Sequence, residues 1–95
     1  MASTGGVIAL TKALAVDLAR HGITVNTIPP SVVDTPMLRQ AESEGRMPVD
    51  TVARMTPVGR LRTPEDIAAA CEFLCSDDAG FITGQQIGVN GGWRI

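Results

Sequence analysis

Residues 18–30 read LARHGITVNTIPP, and this stretch decides the fold class. A helical run ends at Gly22, the residue type that turns left-handed most freely after a last turn. The β-branched run Ile23–Ile28 follows at once and stops at Pro29 and Pro30, which predicts a strand. Ile23, Val25 and Thr27 share one face; Thr24, Asn26 and Ile28 share the other. Neither face carries charge, as in a strand covered on both sides within a parallel sheet. The two prolines cannot donate to a ladder, so regular pairing ends there.

Upstream lies a long helix starting near Ser3 or Thr4, either of whose hydroxyls can cap it. Val7, Leu10, Leu14 and Leu18 form an apolar stripe; Ile8, Ala15 and Ala19 add a second face. Only Thr11, Lys12, Asp17 and Arg20 are clearly polar. The helix is therefore expected to be covered on two sides, by a sheet and by another helix.

Downstream, PPSVVDTPM breaks regular structure. Residues 37–62 are polar and mixed; RQAESEGRMPVD has room for a short helix but reads as a mobile, lid-like connection. TPEDIAAACEFL is the second firm helix, with Thr63 as N-cap, Pro64 at the first helical position and Asp66 as the capping-box acid. Ile67, Cys71 and Leu74 form its apolar stripe, and it ends near Ser76. GQQIGVNGGW then gives a short strand, Gln85–Val89, closed by an Asn-Gly turn.

Helix, strand, helix, strand is α/β organisation with parallel strands and a right-handed crossover. Two parallel strands alone would both be edges. The pattern is that of the end of a larger doubly wound domain.

The chain has 95 residues, one domain or part of one. Phe73, Phe81 and Trp93 are its only aromatics and Tyr is absent, so the core must be aliphatic. Eight basic residues against ten acidic ones give a net charge of −2, which argues against nucleic acid or an anionic membrane as partner. No apolar run approaches the roughly 20 residues of a membrane span, and no secretory pattern is visible. Cys71 and Cys75 lie one helical turn apart, a poor geometry for a disulfide, and read as reduced, buried and cytoplasmic.

There is no G-x-G-x-x-G and no P-loop. Gly5-Gly6 sits at a helix start without a preceding strand, so close packing outweighs phosphate binding. His21 stands at a helix C-terminus with no Ser or Cys nucleophile nearby. The spacing of His21, Cys71 and Cys75 matches no zinc signature, so no metal is expected. Lys12 reads as part of a solvated face. Arg54, Arg60 and Arg62 flank a turn, where ion pairs with Glu65 or Asp66 outrank phosphate recognition.

Taken together, ASTGGVIALTKALAVDLARHGITVNTIPPSVVDTPM (2–37) and PVGRLRTPEDIAAACEFLCSDDAGFITGQQIGVNGGW (57–93) resemble the C-terminal part of a short-chain dehydrogenase/reductase. The first block is similar to that family's active-site helix, its next strand and its cofactor loop. The second is similar to its last helix and last strand. The resemblance implies one partial domain over 1–95, the C-terminal portion of a Rossmann-type doubly wound sheet, incomplete as it stands. Its parts are 1–36, a substrate-loop-like 37–62, and 63–95.

The family's catalytic pair is Tyr-x-x-x-Lys. Thr4 occupies the Lys position before Gly5-Gly6, and the Tyr position falls one residue before Met1. The family's catalytic Ser and Asn and its glycine fingerprint match nothing here. No catalytic residue is therefore expected in this chain, and no turnover by it alone. The family's P-G-x-[IV]-x-T loop maps onto Pro30, Ser31, Val33 and Thr35, the candidate cofactor-binding residues. In the family the Ile/Val backbone contacts the nicotinamide carboxamide and the Thr contacts the cofactor nearby. Ser31 replaces the usual Gly, at about 1 kcal/mol if that backbone needs a positive φ. The implied cofactor is NAD or NADP; the rest of its pocket is not encoded in these blocks.

Two functions follow. One is an oxidoreductase fragment whose ancestral reaction is hydride transfer between nicotinamide and an alcohol or carbonyl. The other is a non-catalytic interaction module that forms a homo-oligomer or joins a related full-length chain through the first helix. Neither nucleic acid nor membrane is an expected partner.

Overall fold

The computed structural model describes residues 2–29 and 32–93, the side chains of 2–4 excepted. The helices are α1 (Ala2–Leu18), α2 (Pro36–Ser43), α3 (Val49–Met55) and α4 (Pro64–Leu74), with 3₁₀ turns at Ala19–His21 and Asp77–Ala79. The chain divides into two compact units, Met1–Pro29 with Ala69–Gly88 and Pro30–Ala68 with Val89–Ile95.

In the first unit, α1 begins at Ala2, so Ser3 and Thr4 lie inside its first turn and not at the expected N-cap. It ends as expected: Gly22 takes φ +73° and its N–H donates to the Ala19 carbonyl at 3.0 Å. The buried line of α1 is Thr11 and Ala15, 7% and 3% exposed. Thr11 is tolerated there because its hydroxyl donates to the Val7 carbonyl at 2.7 Å. Ala15 is covered because Gly84, at φ +71°, brings backbone against it; a Cβ on Gly84 would lie 3.4 Å from that of Ala15. The expected stripe is on the wrong side of this contact: Val7, Leu10 and Leu14 stay 51%, 58% and 38% exposed.

The two expected strands, Ile23–Ile28 and Gln85–Val89, do not form as such. They run parallel, but their pairing is one isolated bridge, Thr27 with Gln86. Thr27 N–H donates to Gln85 O at 3.0 Å and Ile87 N–H to Thr27 O at 2.8 Å. Before that point Gly84 N–H still donates to Val25 O at 2.7 Å, but side chains capture the neighbouring groups a ladder would use. Val25 N–H donates to Thr83 Oγ1 (3.0 Å), Asn26 Nδ2 to Ile82 O (3.1 Å), and Gln85 N–H to Asn26 Oδ1 (3.1 Å).

The second unit contains ordered helices where an irregular lid was expected across 37–62. Buried Leu38, Val49 and Leu61 form its core, with Val32, Met47, Val52 and Ala53 packed against them. Thr35 caps α2 ahead of Pro36, and Gly45 (φ +74°) follows its end, where Arg46 N–H bonds Ala41 O at 2.9 Å. α4 has the expected capping box: Thr63 Oγ1 accepts from Asp66 N–H (3.1 Å), and Asp66 Oδ2 accepts from Thr63 N–H (2.8 Å).

The apolar stripe expected on α4 is not buried. Ile67 and Leu74 are half-covered, Cys71 is exposed, and both free cysteines face solvent. Covering that helix face takes more apolar surface than this stretch of chain presents to it. No helix among the described residues is long and apolar enough to cross a membrane.

Candidate functional site

Two of the four loop candidates, Pro30 and Ser31, lie outside the described residues, as does the side chain of Thr4. Val33 and Thr35 are described, and both belong to the second unit. Val33 forms a parallel bridge with Arg62, in which Asp34 N–H donates to the Arg62 carbonyl at 2.7 Å. In a parallel bridge one residue bonds through its own amide groups and the other through the two residues that flank it; here Asp34, which flanks Val33, bonds Arg62, so the amide groups of Val33 itself face the other way. Among the described residues, nothing hydrogen-bonds the N–H or carbonyl of Val33. One residue thus offers a donor and an acceptor side by side.

Thr35 is extended (φ −130°, ψ 162°), and its Oγ1 accepts from Leu38 N–H at 3.2 Å. Capping uses only acceptor capacity, so the hydroxyl proton can still be donated to a ligand oxygen. The start of α2 adds a partial positive charge at the same place. Asp34, between them, is turned away into an ion pair. Its two oxygens take Arg39 Nε at 2.8 Å and Nη2 at 3.0 Å, and Arg39 Nη1 also reaches Glu42 at 3.2 Å. The hydrogen bonds to Asp34 and then Glu42 push the Arg39 guanidinium above its ordinary range, so it is permanently charged. Asp34 is thereby a brace for α2 and not a free base.

The first unit carries a shallow hollow of about 290 Å³ lined by Ile8, Thr11, Lys12, Thr27, Gly84, Gln85 and Gln86. Neither Val33 nor Thr35 lines it. His21 is exposed, and its Nε2 accepts from Arg20 Nε at 3.4 Å. No cluster of His, Cys, Asp and Glu among the described residues could hold a metal ion. Arg60 is paired as expected, to both oxygens of Asp66 at 2.7 and 3.1 Å. The Arg60 guanidinium, followed by the Thr63 backbone N–H, holds the Asp66 carboxyl well below the usual carboxylate range.

Arg62 has a different place from its neighbour Arg60. It is buried, 9% exposed, and its Nη1 donates to the Val89 carbonyl at 3.1 Å. In the sequence it falls in with two surface arginines; one of its partners lies 27 residues away, beyond any local pattern.

Over residues 1–94 the chain matches the family described as Enoyl-(Acyl carrier protein) reductase. It is 43% identical over 91 residues to the 3-oxoacyl-[acyl-carrier-protein] reductase FabG of Aggregatibacter actinomycetemcomitans, covering 96% of this chain and 36% of the relative. It is 43% identical over 91 residues to the human (3R)-3-hydroxyacyl-CoA dehydrogenase, covering 96% and 34%. An acetoacetyl-CoA reductase of Rhizobium meliloti is 46% identical over 91 residues, covering 96% and 37%.

Among solved structures it is similar to the 3-ketoacyl-(acyl-carrier-protein) reductase of Brucella melitensis complexed with NADH. There the TM-score is 0.82 at 38% identity, over 99% of this chain and 36% of that one. It is similar also to ElxO with NADP bound, with TM-score 0.86 at 33% identity, over 97% and 37%. These neighbours are Rossmann-fold oxidoreductases that bind a nicotinamide cofactor. The chain spans about a third of the length of these relatives, 34–37%. The chain belongs to the short-chain dehydrogenase/reductase family.

Proposed function

We propose that this chain is the C-terminal portion of a short-chain dehydrogenase/reductase and carries the carboxamide-reading loop of its NAD(P) site. The single observation behind this reading is the pairing of Val33 and Thr35. A nicotinamide carboxamide presents one carbonyl and one amino group, and the N–H and carbonyl of Val33 complement both. Thr35, held by its bond to Leu38 N–H, donates its hydroxyl to a neighbouring cofactor oxygen. Pro30 and Ser31 complete the loop on the family's pattern.

When bound, the nicotinamide supplies or accepts the hydride that interconverts an alcohol and a carbonyl. The names of the three curated relatives share acyl thioesters or acyl-carrier substrates oxidised or reduced at the 3-position, and that is the substrate class we infer for the ancestral reaction. This chain's residues position but do not move protons. Thr4 stands where the family has its lysine, and a neutral hydroxyl neither depresses a tyrosine pKa nor attracts a negatively charged group as an ammonium does. The free thiols of Cys71 and Cys75 suit a reducing compartment, the cytoplasm.

The test is a pair of measurements on the purified 95-residue chain. NADH and NADPH should perturb the Val33 and Thr35 amides, and no oxidation of either with acetoacetyl-CoA should be detected. Turnover would overturn the non-catalytic assignment; absence of any perturbation in the loop would overturn the cofactor assignment.

A second reading, favoured by the exposure of Val7, Leu10 and Leu14 on α1, is a module that associates with its own copy or a related full-length chain. Sedimentation of the parent and of Leu10→Asp tests it. A monomeric parent would remove its motive.

A further inference from the structure

We propose that Arg62 is a positioning residue for the Val33–Thr35 loop, and that it locks the loop to the segment beginning at Val89. The inference rests on the cofactor-loop reading above, but its geometry stands independently of it.

Arg62 holds two distant stretches of the second unit at once. Its carbonyl accepts from Asp34 N–H at 2.7 Å, which fixes the register of the Val33 bridge. Its buried guanidinium donates to the Val89 carbonyl at 3.1 Å. Two residues further on, the Gly91 carbonyl accepts from Val58 N–H at 3.0 Å. The 89–91 stretch is thus pinned at two points to the segment 58–62, and that segment holds the loop.

A guanidinium is costly to bury unless hydrogen-bonded, and a Val89 carbonyl stripped of its donor is an unsatisfied acceptor. The buried Arg62 side chain and the Val89 carbonyl therefore help to hold each other in place. If Val89 moves away, the guanidinium loses one of the acceptors that favour its burial. The Arg62 backbone is then less constrained, and with it the bridge that aims the N–H and carbonyl of Val33. The loop's readiness for a carboxamide is in this way coupled to the docking of residues 89–91.

The test compares Arg62→Met, which keeps an apolar stem and removes every donor, with Arg62→Lys, which keeps charge and a donor. Amide hydrogen exchange is followed at Asp34 and Val58. Thr27 and Ile87 in the first unit serve as internal controls, since their N–H groups bond Gln85 and Thr27. The Met variant should exchange at Asp34 and Val58 about tenfold faster, the factor set by loss of a charge-assisted hydrogen bond. Thr27 and Ile87 should be unchanged, and the Lys variant should recover most of the protection. In NADH titrations the Met variant should weaken the Val33 response by a similar factor, with recovery in Lys.

Unchanged protection at Asp34, or equal acceleration in both units, overturns the assignment of Arg62. If the parent chain shows no NADH response at Val33, the cofactor reading falls instead, and the exchange data alone decide whether Arg62 sets the loop's register.

Discussion

Gly91 offers a quantitative check on how the residues after Val89 are seated. Its φ is +60°, and a Cβ added there would lie 2.9 Å from Thr56 Cγ2 and 3.3 Å from Val58 Cβ and Cγ2. Gly91→Ala therefore meets two penalties. The left-handed backbone costs an L-residue about 1–2 kcal/mol. Forcing the methyl against Thr56 and Val58 adds about 1–3 kcal/mol, the usual range for overpacking. Gly45→Ala is the matched control, since Gly45 also has positive φ, +74°, but nothing lies within 4 Å of its added Cβ. It should show the backbone penalty alone. Trp93, the only tryptophan, is two residues from Gly91 and reports on the same turn, where its N–H bonds Asn90 O at 3.0 Å. In urea unfolding followed by Trp93 fluorescence, Gly91→Ala should lose about 1–3 kcal/mol more than Gly45→Ala. That is a midpoint lower by about 1 M at ordinary slopes. Equal midpoints for the two variants would refute the packing of Gly91 on Thr56 and Val58.

Other outcomes follow from the same geometry. Thr63→Ala removes the N-cap of α4 and should cost about 1 kcal/mol in urea unfolding, with Thr63→Ser close to the parent. Because Asp66 is held below its ordinary range when folded, its contribution is present above the unfolded pKa, near 4, and is lost as pH falls further. Urea midpoints should therefore drop with acid in the parent, and less steeply in Asp66→Asn. Thr35→Ser should keep both the cap on Leu38 and the loop's NADH response, whereas Thr35→Val should lose both, read as lower stability and missing amide shifts. Mass spectrometry after brief maleimide treatment without denaturant should find both Cys71 and Cys75 modified.

The signals legible in the sequence were the local ones. Gly22 after α1 and the reciprocal Thr63–Asp66 box involve residues within a turn of each other, and both stand where the residue types place them. The strands failed for a non-local reason. Thr83 and Asn26, 57 residues apart in sequence, bond backbone groups that a ladder would use, and periodicity carries no sign of that. The α1 stripe was read from its larger side chains. The contact is instead made through small ones, because Gly84 passes close to Ala15 and leaves Val7, Leu10 and Leu14 outside. In the 37–62 stretch, polar composition hid three core residues, Leu38, Val49 and Leu61, too far apart to form a periodic run. Val33 and Thr35 could be nominated from the loop pattern. The buried Arg62 that supports them could not, since its meaning depends on Val89.

The most direct test of the account is a titration of the ¹⁵N-labelled chain with NADH, followed through backbone amide shifts. On the proposed reading the contacts are the four loop positions, so binding through them alone should be weak, with a Kd of about 1 mM, or roughly 4 kcal/mol. The account predicts saturable shifts centred on Val33 and Thr35, lost in Thr35→Val. Saturable shifts confined to the Lys12–Gln86 hollow of the first unit, or none within 32–35, would contradict it.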